Sequence, residues 1–201
     1  MLESYLSSLG YGDKEIDMFI NTKELSRFSD EELCCRISDI FEYMLSYGYE
    51  KDEIINMSIL SIKLFSFDVD MIIRKINNLS RLGYRKDEII KMTVKYPNIF
   101  VLGEESIKIK KIFYDKIGIL DVITKHPVYF SKSFDLVYAR YVFYYRMGIK
   151  ITKGNYSLLF LNQRSFINRF GKTNEQLIAM YNYDEIKAHA IPLTLGYGLS
   201  E

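Results

Sequence analysis

Apolar residues between positions 82 and 116 recur at helical spacing in two blocks, with a proline-marked break between them. The stretch therefore predicts two helices joined by a turn. Ile89, Ile90, Met92 and Val94 supply the apolar side of the first block. Lys86-Asp87-Glu88 open it with acids in the first turn, where the helix dipole favours them. Pro97 cannot continue that helix and pushes Tyr96 out of the helical region. Residues 98–102 read as a short connecting turn, and Glu104-Glu105 open a second helix whose Ile109, Ile112 and Phe113 share a face. Leu82-Gly83-Tyr84 precedes all this as a turn in which Gly83 suits a positive φ, and Ile117-Gly118 begins the turn again.

The same unit recurs along the chain. Gly10, Gly48, Gly83, Gly118 and Gly148 follow an apolar or aromatic residue at spacings of 38, 35, 35 and 30. Near-identical helix starts follow Gly10, Gly48 and Gly83, and Pro97 and Pro127 each lie 21 residues before the next turn glycine. The five residues missing from the fourth unit must come from its first helix, which shrinks to 119–125. Long second helices are expected at 31–46, 69–81, 104–116 and 134–146. No alternating pattern suggests a strand. Each unit leaves apolar faces that only a neighbouring unit can cover. The predicted fold is all-α, a right-handed helical-repeat solenoid of about five units starting near residues 9, 47, 82, 117 and 147. Residues 1–183 form the repeat domain, with a short lead-in at 1–8 and a degenerate last unit at 149–183 capped at Thr173. Residues 184–201, which hold Pro192, Gly196 and Gly198, form a C-terminal tail without periodicity.

The combination Leu-Gly-Tyr, basic-acidic helix start, Ile-Ile-x-Met and Tyr-Pro-x-Ile-Phe resembles the repeat of the mitochondrial transcription termination factor (mTERF) family. The resemblance covers about residues 9–183 and is sharpest from 82 to 146. It implies a helical solenoid and nucleic-acid binding, in transcription regulation for example, and it implies no enzyme. Three departures stand out. The first two units lack the proline, with Lys23-Glu24 and Ser61-Ile62 in that neighbourhood, the repeats are fewer than in long organellar members, and the chain is not basic overall. A composition rich in Ile, Lys, Asn and Tyr suits a short bacterial or mobile-element member.

Composition adds a polarity. The net charge of +1 conceals 8 Lys/Arg against 15 Asp/Glu in residues 1–80, and 19 against 11 in residues 81–201. An acidic end that stays free, or meets a protein partner, and a basic part that meets an anion are expected. Adjacent Cys34 and Cys35 read as reduced thiols, no apolar run reaches the length of a membrane span, and the first residues carry no basic leader pattern. A cytoplasmic location is expected, unless a leader has been removed.

On the repeat frame the cations fall in columns. Lys75, Lys110 and Arg140 stand eight residues before successive turn glycines, and Arg81, Lys116 and Arg146 stand two before them. Lys95 and Lys125 each lie two before the proline. Stacked repeats would turn these columns into basic rows for a phosphate backbone, that of double-stranded DNA or structured RNA. Phe134, Tyr138, Tyr141, Phe143, Tyr144 and Tyr145 crowd one helix, and the Tyr141–Tyr145 pair reads as inter-repeat core. His126, His189 and the two cysteines show no metal-ligand spacing, and no P-loop, G-x-G-x-x-G or G-x-S-x-G motif occurs. No cofactor, metal or catalytic residue is expected. A protein-interaction scaffold without nucleic-acid binding is the alternative, and the sequence leaves the oligomeric state open.

Overall fold

Five turn glycines, Gly10, Gly48, Gly83, Gly118 and Gly148, adopt left-handed backbone angles with φ between 72° and 104°. Each ends a helix, so the glycine register marks where the chain reverses. The computed structural model describes residues 1–181; residues 182–183 of the expected repeat region and the expected tail at 184–201, with His189, lie outside the described residues. Among the described residues there are eleven α-helices, four 3-10 helices and no strand. The chain divides into two compact units, Met1–Leu102 and a second that begins at Gly103.

The first unit contains α1 (Leu2–Leu9), α2 (Asp13–Ile20), α3 (Asp30–Tyr47), α4 (Lys51–Leu60), α5 (Val69–Arg81) and α6 (Lys86–Lys95). The 3-10 helices Ile62–Ser66 and Pro97–Val101 follow α4 and α6. Like packs on like: α3 on α5, α4 on α6, and one 3-10 helix on the other. Leu6, Ile37, Ile40, Met44, Ile72, Ile76, Met57, Met92, Phe65 and Phe100 are buried in this core. The residues that the sequence suggested as a plain connecting turn are 3-10 helices, and the proline is not what makes them. Ser61, before Ile62, has φ −150° and ψ 86°, close to the −146° and 76° of Tyr96 before Pro97. Burial of Phe65 and Phe100 at equivalent places holds the bend in both repeats.

Two buried hydroxyl pairs tie successive repeats of this unit together. Tyr11, just after Gly10, meets Ser58 Oγ at 2.6 Å, and Tyr49, just after Gly48, meets Thr93 Oγ1 at 2.7 Å. Ser58 Oγ already donates to the Ile55 carbonyl and Thr93 Oγ1 to that of Ile89. Each tyrosine therefore donates, because a hydroxyl has one proton to give. Burial pushes both phenols well above the ordinary tyrosine range.

The second unit contains α7 (Glu104–Lys116), α8 (Leu120–Lys125), α9 (Phe134–Arg146), α10 (Gln163–Phe170) and α11 (Asn174–Met180). The 3-10 helices Pro127–Ser131 and Tyr156–Phe160 lie between them. α7 packs on α8 and α11 on α9. The expected shortening falls on α8, which has six residues. After Gly148 the chain forms no first α-helix at all. Residues 149–155 make a loop in which the Asn155 amide donates to the Lys150 carbonyl and its oxygen accepts from the Thr152 amide. The expected cap at Thr173 is present and accepts from the Gln176 amide.

Gly83 isolates the backbone requirement, because a Cβ there would meet nothing within 4 Å while φ is +86°. Gly83→Ala is expected to cost about 1–2 kcal/mol, the left-handed penalty alone. Chemical denaturation checks this, and an unchanged midpoint would mean the turn adapts freely.

Candidate nucleic-acid interface

The columns separate once side chains are placed. The column eight before glycine turns inward. Lys75 on α5 donates from Nζ to the Leu102 carbonyl at 2.7 Å, just past the 3-10 helix Pro97–Val101 of the next repeat. Lys110 on α7 is 4% exposed and donates to the Phe130 carbonyl at 2.6 Å and to Ser106 Oγ at 2.9 Å. Arg140 on α9 is 2% exposed. Its Nη1 donates to the carbonyls of Leu159 and Leu161, and Nη2 to Asn174 Oδ1 at 2.8 Å. The guanidinium also lies 4.7 Å over the Phe166 ring.

Lys110 and Arg140 therefore cannot stand in a solvent-facing row, which corrects the sequence expectation for this column. Each is a tie from the second helix of one repeat to the end of the 3-10 helix in the next. Those carbonyls end short helices and have no backbone donor of their own, so a long cationic side chain is a suitable partner. Burial pulls the Lys110 ammonium below its usual range, against the opposing pull of Asp135, and lowers Arg140 as well.

The other columns stay outside. Arg81 and Lys95 are exposed in the first unit, and Lys116, Lys125 and Arg146 in the second. Arg146 lies 5.0 Å over the ring of Tyr181. In the second unit Lys116, at the end of α7, borders an open cleft shared with Tyr141 and Tyr145 of α9 and with Lys150 beyond the Gly148 turn. Lys150 belongs to none of the cation columns read from the sequence. Its place two residues after the turn glycine, opposite the column two before, was the available signal.

The aromatic crowd on α9 is core with one exception. Tyr138, Phe143 and Tyr144 are buried, and Phe113 gathers Phe134, Tyr138 and Tyr141 around it with ring centroids 5.3–5.8 Å apart. Tyr145 is 56% exposed, so the expected Tyr141–Tyr145 core pair is corrected at its second member. Among the described residues no group of three His, Cys, Asp or Glu could hold a metal. His126 is exposed and lies against the rings of Tyr129 and Tyr156. Cys34 and Cys35 are free thiols. Among the described residues no helix is long and apolar enough to cross a membrane.

Glycine-ended helix pairs, 3-10 connectors and ties that link each repeat to the next define an all-α helical-repeat protein. The chain belongs to the mTERF family, whose model matches residues 27–167. That family is one of nucleic-acid-binding helical-repeat proteins. Comparison with curated proteins gives no match.

Proposed function

We propose that this protein binds nucleic acid through the phosphate backbone, using exposed cations of its second unit. Family membership supports the class of ligand. The observation that carries the reading is the charge of residues 103–181, which hold 13 Lys/Arg against 6 Asp/Glu. With Lys110 and Arg140 internal, nine of the other eleven cations are exposed and Lys111 and Lys172 are half-buried. Lys108 pairs with Glu105 and Lys153 with Asp121, at 3.3 Å and 2.8 Å. Such an excess attracts a polyanion by counterion release without reading bases, so either double-stranded DNA or structured RNA is a suitable ligand.

Lys116 and Lys150, which line the open cleft, and exposed Arg146 at the end of α9 are the residues we assign to phosphate. Replacing all three by Glu should weaken binding to a mixed-sequence duplex and reduce its salt slope by roughly 0.9 per lost contact. Glu31→Gln with Glu42→Gln, both exposed in the acidic first unit, is the control and should leave binding intact. Absence of binding by the wild type to both duplex DNA and folded RNA at about 0.15 M salt would replace this reading by the protein-scaffold one.

A further inference from the structure

The cleft beside Lys116 has a volume of about 360 Å³ and a lining unlike a plain phosphate track. Lys116 and Ile117 close it from the α7 side, Tyr141 and Tyr145 form its α9 wall, and Ile149, Lys150 and Ile151 close it from the loop. Among the described residues no carboxylate lines it. Tyr141 is fixed, its ring held edge-on by Phe113 at 5.3 Å and 90°. Tyr145, one helical turn on, is 56% exposed, and its side chain makes no hydrogen bond or ring contact with any described residue. The Lys150 ammonium makes no ion pair with a described carboxylate.

An exposed aromatic face, apolar isoleucine walls and two ammonium groups within one small cleft call for a ligand that joins a flat ring to a negative charge. We infer that this cleft seats one unpaired nucleotide of a single strand, its base on the Tyr145 ring and its phosphate between Lys116 and Lys150. The inference rests on the nucleic-acid reading above and deepens it. Stacking on tyrosine tolerates any base, since every base has a π-face, and the cations hold the backbone. A base inside a duplex is already stacked on both sides and has no face to offer, so this seat distinguishes single strands from duplexes. An acidic peptide would satisfy the two lysines but would leave the tyrosine face without a matching ring.

Three probes separate the terms: an eight-nucleotide oligothymidine, an abasic strand with the same phosphates, and a blunt mixed-sequence duplex. The wild type should bind oligothymidine about tenfold more tightly than the abasic strand. Tyr145→Ala should remove that preference, Tyr145→Phe should keep it, and neither should change duplex binding by more than about twofold. The side chain is exposed and unbonded, so both variants should fold as the wild type does, which circular dichroism verifies. Equal binding of oligothymidine and abasic strand, or a Tyr145→Ala effect of equal size on duplex and single strand, overturns the seat while leaving the backbone reading standing. Failure of every probe to bind overturns both, and binding of an acidic peptide in their place would assign the cleft to a protein partner.

Discussion

Arg140→Ala is expected to destabilise the second unit by about 3–5 kcal/mol, the largest effect of any single substitution considered. The guanidinium is 2% exposed and satisfies three oxygens, the carbonyls of Leu159 and Leu161 and the side-chain amide of Asn174. Truncation strands the buried Leu159 carbonyl, at about 1–3 kcal/mol, and removes the bonds to the part-buried oxygens of Leu161 and Asn174. It also removes the cation from the Phe166 face and opens a void beside that ring. Relaxation and water entry at the part-buried oxygens return part of this, so the net loss is smaller than the sum of the separate terms. Arg140→Lys should recover only part, since one ammonium cannot reproduce the fork that serves Leu159, Leu161 and Asn174.

The related ties should form a graded series. Lys110, with two acceptors and 4% exposure, should cost less than Arg140 on truncation, and half-buried Lys75, with one, should cost least. Urea denaturation of the three alanine variants checks the order. A loss below about 1 kcal/mol for Arg140→Ala would show that burial of the cation cancels its hydrogen bonds. For the same reason, acidic replacements in this column are unsuitable for testing nucleic-acid binding, because a buried carboxylate facing carbonyls would unfold the unit first.

That inward column was legible, though not to a reading based on charge alone. Four residues before the turn glycines stand Met44, Leu79, Tyr114 and Tyr144, and eleven before stand Ile37, Ile72, Ile107 and Val137, all buried. These columns are seven apart, so both lie on the core face, and the position eight before glycine lies between them on that same face. In the first repeat it holds Ile40, fully buried. A position that exchanges isoleucine for Lys or Arg is a core position where a cation has found internal acceptors. Lysine and arginine stems pack as apolar material while their heads seek oxygen, so side-chain type alone does not tell surface from interior.

The turn frame was more legible, because glycine at positive φ and a helix-ending proline are backbone constraints that survive any tertiary context. The expected helices 69–81, 104–116 and 134–146 agree with α5, α7 and α9 at both ends. The pairings Tyr11–Ser58 and Tyr49–Thr93 were not seen, although each tyrosine follows a turn glycine and each hydroxyl lies ten residues after the next one. Their partners lie 47 and 44 residues apart, and a periodic sequence shows equivalence between positions without showing which equivalents touch. The missing first helix after Gly148 was hidden for a similar reason. The loop at 149–155 is held by Asn155 side-chain bonds, which helical spacing does not report.

Amide hydrogens of α8 should exchange at least about tenfold faster than those of α6, and faster than those of α7 within the same unit. α8 is six residues long and buries only Ile123, whereas α6 has ten residues and buries Ile89, Met92 and Thr93. Six residues allow very few internal i to i−4 bonds, so nearly all the stability of α8 must come from packing that a single buried side chain supplies. Its N-cap Ile119 makes no side-chain cap bond, while at the start of α6 the Glu88 carboxylate accepts from the Arg85 backbone amide at 2.9 Å. The Lys153–Asp121 pair, at 2.8 Å, does tie the start of α8 to the following loop and holds the Asp121 carboxyl below its usual range. Both partners are more than half exposed, so the pair contributes about 0–1 kcal/mol, too little to offset the missing core. Asp121→Asn should therefore raise the α8 exchange rates by less than about fivefold while leaving α7 and α9 unchanged. Protection of residues 122–125 equal to that of residues 89–95 would mean that the short helix is held by neighbours more firmly than its buried area implies. The wild-type measurement is the first to make, because it needs no substitution and reads the weakest repeat directly.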